Sequence, residues 1–506
     1  MDSRVAPLRP FVVFCVVIAC LGALNNGFNT SSLNIPGEYV LNCPDVPSGV
    51  VTYFPNSSLP KCIPMSSWVW GASVGAYALG GCVGAVFAGA LARKLGRRDS
   101  MLVMNISFFI GAILLSTSTT SAQFAIGRVF VGIGSGFMTV VISMYIAEIA
   151  PPKYRGALGS CLQLCVTLGI LIIQCIGLGL ESSIGWRVVT VITVGPAIIQ
   201  MVCLPFLPRS PRWLISKNRI EEGRSEMLRL RNGDIDQEYN EILANLIQDY
   251  DADDNNKKNQ NNEVDSVTGM GDFNNEKQVS SSNDQNLSII QLMSIPVLAK
   301  LTVKIMLVHV AGQLTGINAI MYYSTSIFQV SFANNAKYVT IGVSALNVVL
   351  TIVSILLIDR LGRKILLLIS SAGMCIFSVV MTISLIYAVS PLQVLCVMLF
   401  VAFYAVGLGV IPFVLTAEVY PTYAVGTASS IALVVNWLCN FIIGLIFPSL
   451  QNVTGPYVFL IFAGICLLVT IFVFIFIPET KQKSIDELGH QLGWADLDLN
   501  AIFNKE

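Results

Sequence analysis

The chain has 506 residues, 54% of them apolar and 12% charged, with 30 basic and 30 acidic side chains and so no net charge. A soluble protein carries about a quarter charged residues, so these charges are too few to cover a water-facing surface, and a mean hydropathy of +0.71 points to lipid as the main solvent. Zero net charge leaves no electrostatic footprint for nucleic acid. Two histidines (His309, His490) and no CxxC spacing argue against a metal site; neither metal nor cofactor is expected.

A helix needs about 20 apolar residues to cross a bilayer. Such runs lie at 11–33, 66–91, 101–118, 122–146, 156–180 and 187–207, then at 299–329, 338–358, 365–388, 391–415, 428–448 and 456–477. The first run lacks a convincing small-residue cleavage site and is followed at once by more spans. It reads as a transmembrane helix rather than a signal peptide. The predicted fold is an all-α membrane protein of twelve spans.

Basic residues in short loops mark the cytoplasmic side. Arg93, Lys94, Arg97 and Arg98 lie between spans 2 and 3, Lys153 and Arg155 between spans 4 and 5, and Arg360, Arg363 and Lys364 between spans 8 and 9. The alternate loops hold only Lys61, Arg187 and Lys337. Both termini and the long central segment are therefore expected in the cytoplasm of a multi-pass protein, expected in the plasma membrane. The loop at 35–65 is then external and holds Cys43 and Cys62, the one cysteine pair in a polar external segment. A disulfide fits that compartment, but the separation alone does not decide it. Sequons at Asn56 and Asn452 fall on the same external side, as N-glycosylation requires.

The predicted organisation is an N-terminal six-helix half (1–207), a cytoplasmic linker (208–298), a C-terminal half (299–480) and a cytoplasmic tail (481–506). Within the linker, Ser210 to Asp249 has helical spacing, and residues 250–287 are rich in Asn, Asp, Gln, Lys and Ser. Such a stretch cannot bury a core and is expected to be disordered.

Three motifs recur at one offset of about 266–270 residues. Leu95-Gly96-Arg97-Arg98 matches Leu361-Gly362-Arg363-Lys364, Ala147-Glu148 matches Ala417-Glu418, and Pro208-Arg209-Ser210 matches Pro478-Glu479-Thr480. The positive-inside rule explains the basic loops. It does not explain three motifs in register, so a six-helix unit is repeated in parallel orientation. Parallel halves place a substrate site between them near the bilayer midplane.

These motifs resemble those of the sugar porter family of the major facilitator superfamily, especially its facilitative glucose transporters. The resemblance is carried by Gly27-Phe28-Asn29-Thr30, Gly127-Arg128, Arg155-Gly156-Ala157-Leu158-Gly159, Ser210-Pro211-Arg212-Trp213, Gln313-Leu314-Thr315-Gly316-Ile317-Asn318, Asn436-Trp437 and Pro478-Glu479-Thr480. It covers essentially the whole chain outside the polar insert. It implies a uniporter of hexoses, expected to act as a monomer with a small neutral sugar and the bilayer as its partners.

A neutral polyol both donates and accepts hydrogen bonds, so amides and an aromatic face suit it. Amides inside membrane helices are costly and therefore functional candidates. They are Gln163 and Gln174 in span 5, Gln313 and Asn318 in span 7, Asn347 in span 8, and Asn436 and Asn440 flanking Trp437 in span 11. The resemblance implies sugar contacts at Gln163, Gln313, Asn318, Asn347 and Trp437. Three positions depart from the family pattern: Gly312 replaces a glutamine, Phe413 a tryptophan and Ala405 a glutamate. A cytoplasmic charge network is expected from Arg97, Glu148, Arg155, Arg209, Arg212, Arg363, Glu418 and Glu479. Here Arg209 stands where the family has glutamate, and Val425 where the repeat has lost its arginine. Arg209 is expected to pair with Glu418 or Glu479 of the other half when the cytoplasmic side closes.

An enzyme would need a nucleophile–base pair or metal cluster at one membrane depth, and Lys304 and His309 stand isolated in span 7. A non-transporting sugar sensor on this scaffold is expected to carry a long signalling tail, whereas this chain ends about 28 residues after Pro478. A proton-coupled symporter is expected to carry an acid after Gly27-Phe28, where this chain has Asn29.

Overall fold

The computed structural model describes residues 7–240, 242–243, 287–332, 335–481, 483 and 485–494. The polar stretch expected to be disordered at 250–287 lies outside the described residues, except for Leu287. Spans 1 to 5 are Pro10–Ser31, Ser67–Leu95, Arg97–Ser116, Ser121–Ile149 and Arg155–Gly179. Span 6 is Gly185–Phe206, span 7 Pro296–Gln329 and span 10 Ser390–Thr416. Spans 8, 9, 11 and 12 are Ala336–Leu361, Arg363–Ile386, Thr422–Thr454 and Val458–Phe476. Length and hydropathy alone give 11 candidate spans, because the last, Ala424–Phe476, is 53 residues long. It is two helices joined by the 3-10 turn Gly455–Tyr457, so the chain makes twelve crossings.

Local signals set the boundaries. Ser66 and Thr120 cap spans 2 and 4 by accepting from the Val69 and Gln123 amides, which satisfies otherwise orphaned donors. Spans 2 and 8 both stop at a glycine of positive φ, Gly96 at 85° and Gly362 at 94°, a conformation that costs glycine little. Three spans are interrupted. Span 6 breaks before Pro196, span 7 between Leu314 and Ile317, and span 10 between Val406 and Ile411. At the span 7 break Gly316 has φ +99°, and a Cβ there would meet the Phe462 ring at 2.6 Å.

Packing repeats as the sequence does. Span 1 packs on 5 as 7 packs on 11; span 2 on 4 as 8 on 10; span 3 on 4 as 9 on 10. The halves meet along spans 2 and 11 and along spans 5 and 8, so a pseudo-two-fold runs between them. Every hydrogen bond and ion pair between the halves, among the described residues, lies toward the face that carries Cys43 and Cys62. Asn34 Nδ2 donates to the Met321 carbonyl (2.7 Å) and to Ser324 Oγ (2.8 Å). Ser344 Oγ donates to Gln174 (2.6 Å), and Lys337 pairs with Glu181 (2.6 Å). That face is closed; on the opposite, open face, which carries Arg97 and Arg363, no hydrogen bond or ion pair joins the halves among the described residues.

On the open face, the linker forms the short helices Pro211–Ser216 and Ile220–Leu230 against the first half. Buried Arg231 fastens them: it pairs with Glu238 (2.9 Å) and donates to the Ile149 carbonyl at the end of span 4 (2.6 Å). The tail helix Ile485–Leu492 precedes Trp494, whose indole donates to the Val419 carbonyl (3.1 Å). On the closed face, Cys43 and Cys62 are bonded, with Cα atoms 5.0 Å apart. Their loop is clamped by Arg187, which donates to the carbonyls of Pro60 (2.8 Å), Ser116 (2.6 Å) and Ser118 (2.9 Å).

Candidate functional site

The interrupted span 7 carries polar side chains at its break. Gln313 and Asn318 flank the span 7 break, and the Asn318 amide donates to the Gln313 carbonyl. Both are nearly buried, at 8% exposure each. The second segment of span 7 is tied to span 11: Tyr322 donates to Asn440 Oδ1 (2.7 Å) and Tyr323 to the Gly444 carbonyl (2.8 Å). Asn440 thus serves the scaffold in this state.

Trp437 on span 11 reaches across to the first half. Its ring stands edge-on to Tyr77 of span 2 at 5.8 Å and fills the space where Gly81 would carry a side chain. Tyr77 is fully buried, bonds Asn26 through its hydroxyl, and has the Arg128 guanidinium 4.7 Å above its ring. Arg128, buried to 1% exposure, donates to the Asn29 carbonyl (2.8 Å). Neutral carbonyls and an aromatic face therefore surround this buried cation, with no carboxylate bonded to it among the described residues.

Gln163 on span 5 is half-buried and Asn347 on span 8 is buried. Neither side-chain amide has a hydrogen-bond partner among the described residues, so both can bond a solute. Gln174, which shares a helix face with Gln163, instead joins Ser31 (2.6 Å) to Ser344 (2.6 Å) and acts as a strut between the halves. Asn436 lies beside His309, which also touches Thr416 and Phe413. Phe413 is 40% exposed. His309 was set apart in the sequence as isolated. Its spacing four residues before Gln313, which places both on one face of span 7, was the available signal. Tyr77 and Thr416 carried no such signal, because they join the site only through packing of distant spans.

The open-face charges form one cluster in each half. Arg97 pairs with Glu148 (2.7 Å) and Arg363 with Glu418 (2.7 Å). Glu479 accepts from the Arg363 amide (2.9 Å) and the Lys364 amide (3.1 Å), capping span 9. Arg209, its counterpart, pairs with Asp99 (2.9 Å) in the first turn of span 3. The expected partners of Arg209, Glu418 and Glu479, are engaged in their own half. Asp99 was overlooked because the repeat has Ile365 in its place. Arg155 and Arg212 are exposed and make no ion pair among the described residues. Val425 packs partly buried against the core.

Of the two sequons, Asn56 lies exposed in the closed-face loop. Asn452 lies inside the span 11 helix and donates to Ser67 of span 2 (2.7 Å). That bond joins the halves, a use the sequon reading did not anticipate.

A family model described as "Sugar (and other) transporter" matches residues 14–492. The chain is 34% identical over 518 residues to the facilitated glucose transporter member 2 of Rattus norvegicus, covering 94% of this chain and 93% of that protein. It is 32% identical over 494 residues to member 4 of Mus musculus, covering 94% and 90%. Among solved structures, the partially occluded inward-open xylose transporter XylE of E. coli aligns with TM-score 0.71 at 23% identity, covering 94% of this chain and 100% of that one. Its inward-open form aligns equally well, with TM-score 0.71 at 24% identity, covering 95% of this chain and 99% of that one.

Proposed function

The chain belongs to the sugar (and other) transporter family, and on that premise we propose that it carries a hexose across the membrane by facilitated diffusion with alternating access. What supports this reading is a set of uncharged hydrogen-bonding side chains on membrane-spanning helices of both halves. Gln163, Gln313, Asn318, Asn347 and Asn436 supply amides, and Trp437 and Phe413 supply aromatic faces. Amides match hydroxyls as both donors and acceptors, and ring faces suit the apolar side of a sugar. The relatives at 32% and 34% identity are facilitated glucose transporters.

The open face, rich in arginine, corresponds in this reading to the cytoplasm, by the positive-inside rule. Both termini then lie in the cytoplasm, Asn56 and Asn452, both exposed, are the glycan acceptors, and the protein works as a monomer in the plasma membrane. Alternation requires the closed-face contacts of Asn34, Gln174 and Lys337 to open while the arginine-bearing ends of the halves approach. The clusters around Arg97 and Arg363 hold each half rigid as it rocks.

Counterflow tests this reading. Purified protein in liposomes preloaded with unlabelled glucose should draw in labelled glucose transiently above its equilibrium level. Binding without exchange would indicate a sensor and reject the transporter reading.

A further inference from the structure

Away from the sugar-site residues, a cavity of about 330 Å³ on the open face is lined by Arg9, Pro10, Phe11 and Arg229, a volume near the lower end for small-molecule sites. Arg9 directly precedes span 1, and Arg229 lies in the last turn of the linker helix Ile220–Leu230. Arg9 joins the two elements. Its Nε donates to Asn232 Oδ1 (2.9 Å), and its Nη1 to the carbonyls of Leu228 (2.7 Å) and Arg229 (2.8 Å). Asn232 Nδ2 in turn donates to the Pro7 carbonyl (2.9 Å). All these acceptors are neutral, and Nη2 of Arg9 has no partner among the described residues. Arg229 donates through Nη1 to Glu226 (2.7 Å), and its guanidinium lies 5.3 Å from the centre of the Phe11 ring. Its Nε and Nη2 have no partner among the described residues.

Two arginines against one glutamate leave one positive charge at this cavity, with N–H groups on both guanidiniums still to be bonded. A phosphodiester carries one negative charge, and its oxygens match the donor fork of a guanidinium. The surroundings indicate what brings the phosphodiester. The cavity lies at the first turn of a membrane-spanning helix, the depth at which headgroups flank the hydrocarbon core. Phe11 stacks on Phe14 at 6.5 Å, and Val13, Phe14 and Val17 are exposed along the same end of span 1. Such an apolar strip suits acyl chains, which a free anion lacks.

We propose that Arg9 and Arg229 bind the phosphodiester headgroup of an anionic phospholipid whose acyl chains lie along the first turns of span 1. The bound lipid fastens the linker helix and the start of span 1 to the leaflet on the open face. The cytoplasmic leaflet is the negatively charged one, which agrees with the cytoplasmic placement of that face. The proposal does not depend on which solute is carried.

Lipid titration tests it. Purified full-length protein in detergent is titrated with dioleoyl phosphatidylglycerol or with dioleoyl phosphatidylcholine, whose choline cancels the phosphate charge, and bound copies are counted by native mass spectrometry. The first phosphatidylglycerol should bind at least about tenfold more tightly than the first phosphatidylcholine. Arg9→Gln and Arg229→Gln should each weaken phosphatidylglycerol about fivefold and leave phosphatidylcholine unchanged. Lys94→Gln, which removes an exposed cation of the same face outside the cavity, should leave both affinities unchanged. Should Arg9→Gln fail to fold for want of its bonds to the linker, Arg229→Gln decides, because the Arg229 side chain bonds only Glu226 among the described residues. A purely structural role for the arginines would lower the melting temperature and leave the ratio of the two lipid affinities intact. Equal affinity of the wild type for both lipids overturns the proposal, as does a ratio that survives in folded Arg229→Gln. Inorganic phosphate alone should not raise the melting temperature of the lipid-free protein. A rise that is lost in Arg229→Gln would mark a site for a soluble anion and overturn the lipid assignment.

Discussion

The arginine-bearing ends of the two halves are built on one plan with different chemistry. Arg97 and Arg363 each begin a helix after a positive-φ glycine, each bond a glutamate, and each donate back to the carbonyl five residues earlier, Ala92 (3.4 Å) and Ile358 (3.1 Å). Beyond that arginine the halves diverge. In the second half, Glu479 caps span 9, and Glu418 also accepts from Thr480 (2.6 Å). In the first half, the equivalent strap carries Arg209, and its acid has moved onto the helix as Asp99. Ser210, equivalent to Thr480, caps Trp213 instead (3.2 Å), leaving Glu148 Oε2 buried without a partner. A duplicated frame thus tolerates exchange of charge between two positions when both change. The middle of the membrane diverges too. Spans 1 and 4 run unbroken, whereas spans 7 and 10, their repeats, are interrupted at Gly316 and around Gly407. The second half therefore holds two of the three interrupted spans and most of the amides, and the first half only the break in span 6.

Breaking the cap in one half and the ion pair in the other should expose the difference. Glu479→Ala strands two helix N–H groups at once, and hydrogen bonds to charged groups contribute about 1.5–3 kcal/mol. Its melting temperature in detergent should fall by several degrees. Arg209→Ala, removing one partly exposed ion pair, should cost less than about 1 kcal/mol. Equal shifts would erase the distinction between the clusters. Next in size, Gln313→Ala removes an amide at the span 7 break, and apparent sugar affinity should weaken about tenfold, or about 1.4 kcal/mol. Normal affinity in a well-expressed variant would remove Gln313 from the site.

A smaller effect sharpens the charge exchange. Asp99→Arg and Arg209→Asp should each lower stability slightly, and the double variant should recover most of the loss, a coupling of up to about 1 kcal/mol. Val425→Arg, by contrast, should simply add to Arg209→Glu in a transport assay, because Arg209 has its acid in its own half. Restoration of transport by that second pair would show that the halves exchange partners when the cytoplasmic side closes. The smallest expected effect is none: with Asn29 in span 1 and only carbonyls bonded to Arg128, sugar uptake should be indifferent to an imposed pH gradient. Accumulation above equilibrium driven by that gradient would reveal proton coupling through a group outside this pair.

Much of the fold was legible because its signals are local. Apolar runs as long as a bilayer is thick, basic short loops and three motifs in register each depend on a few neighbouring residues. Even spans 11 and 12, joined only by the short turn Gly455–Tyr457, were distinct in the sequence as the runs 428–448 and 456–477. The amides of the path were legible as residue types, since an uncharged hydrogen-bonding group at membrane depth is conspicuous wherever it points.

Sequence alone could not say which amide does what. Gln163 and Gln174 share a helix face, yet one is without a partner and the other is a strut. That difference depends on Ser31 and Ser344, which lie 143 and 170 residues away from Gln174. Likewise, the sequence marked Arg209 as unusual, but its pairing with Asp99 depends on a contact 110 residues distant. Composition, span count and repeat were determined by the chain itself, because the bilayer imposes the same length and polarity on every crossing helix. The partner of each polar side chain was decided only by the tertiary structure, because a hydrogen bond a few ångströms long depends on how helices far apart in sequence are rotated and broken against one another.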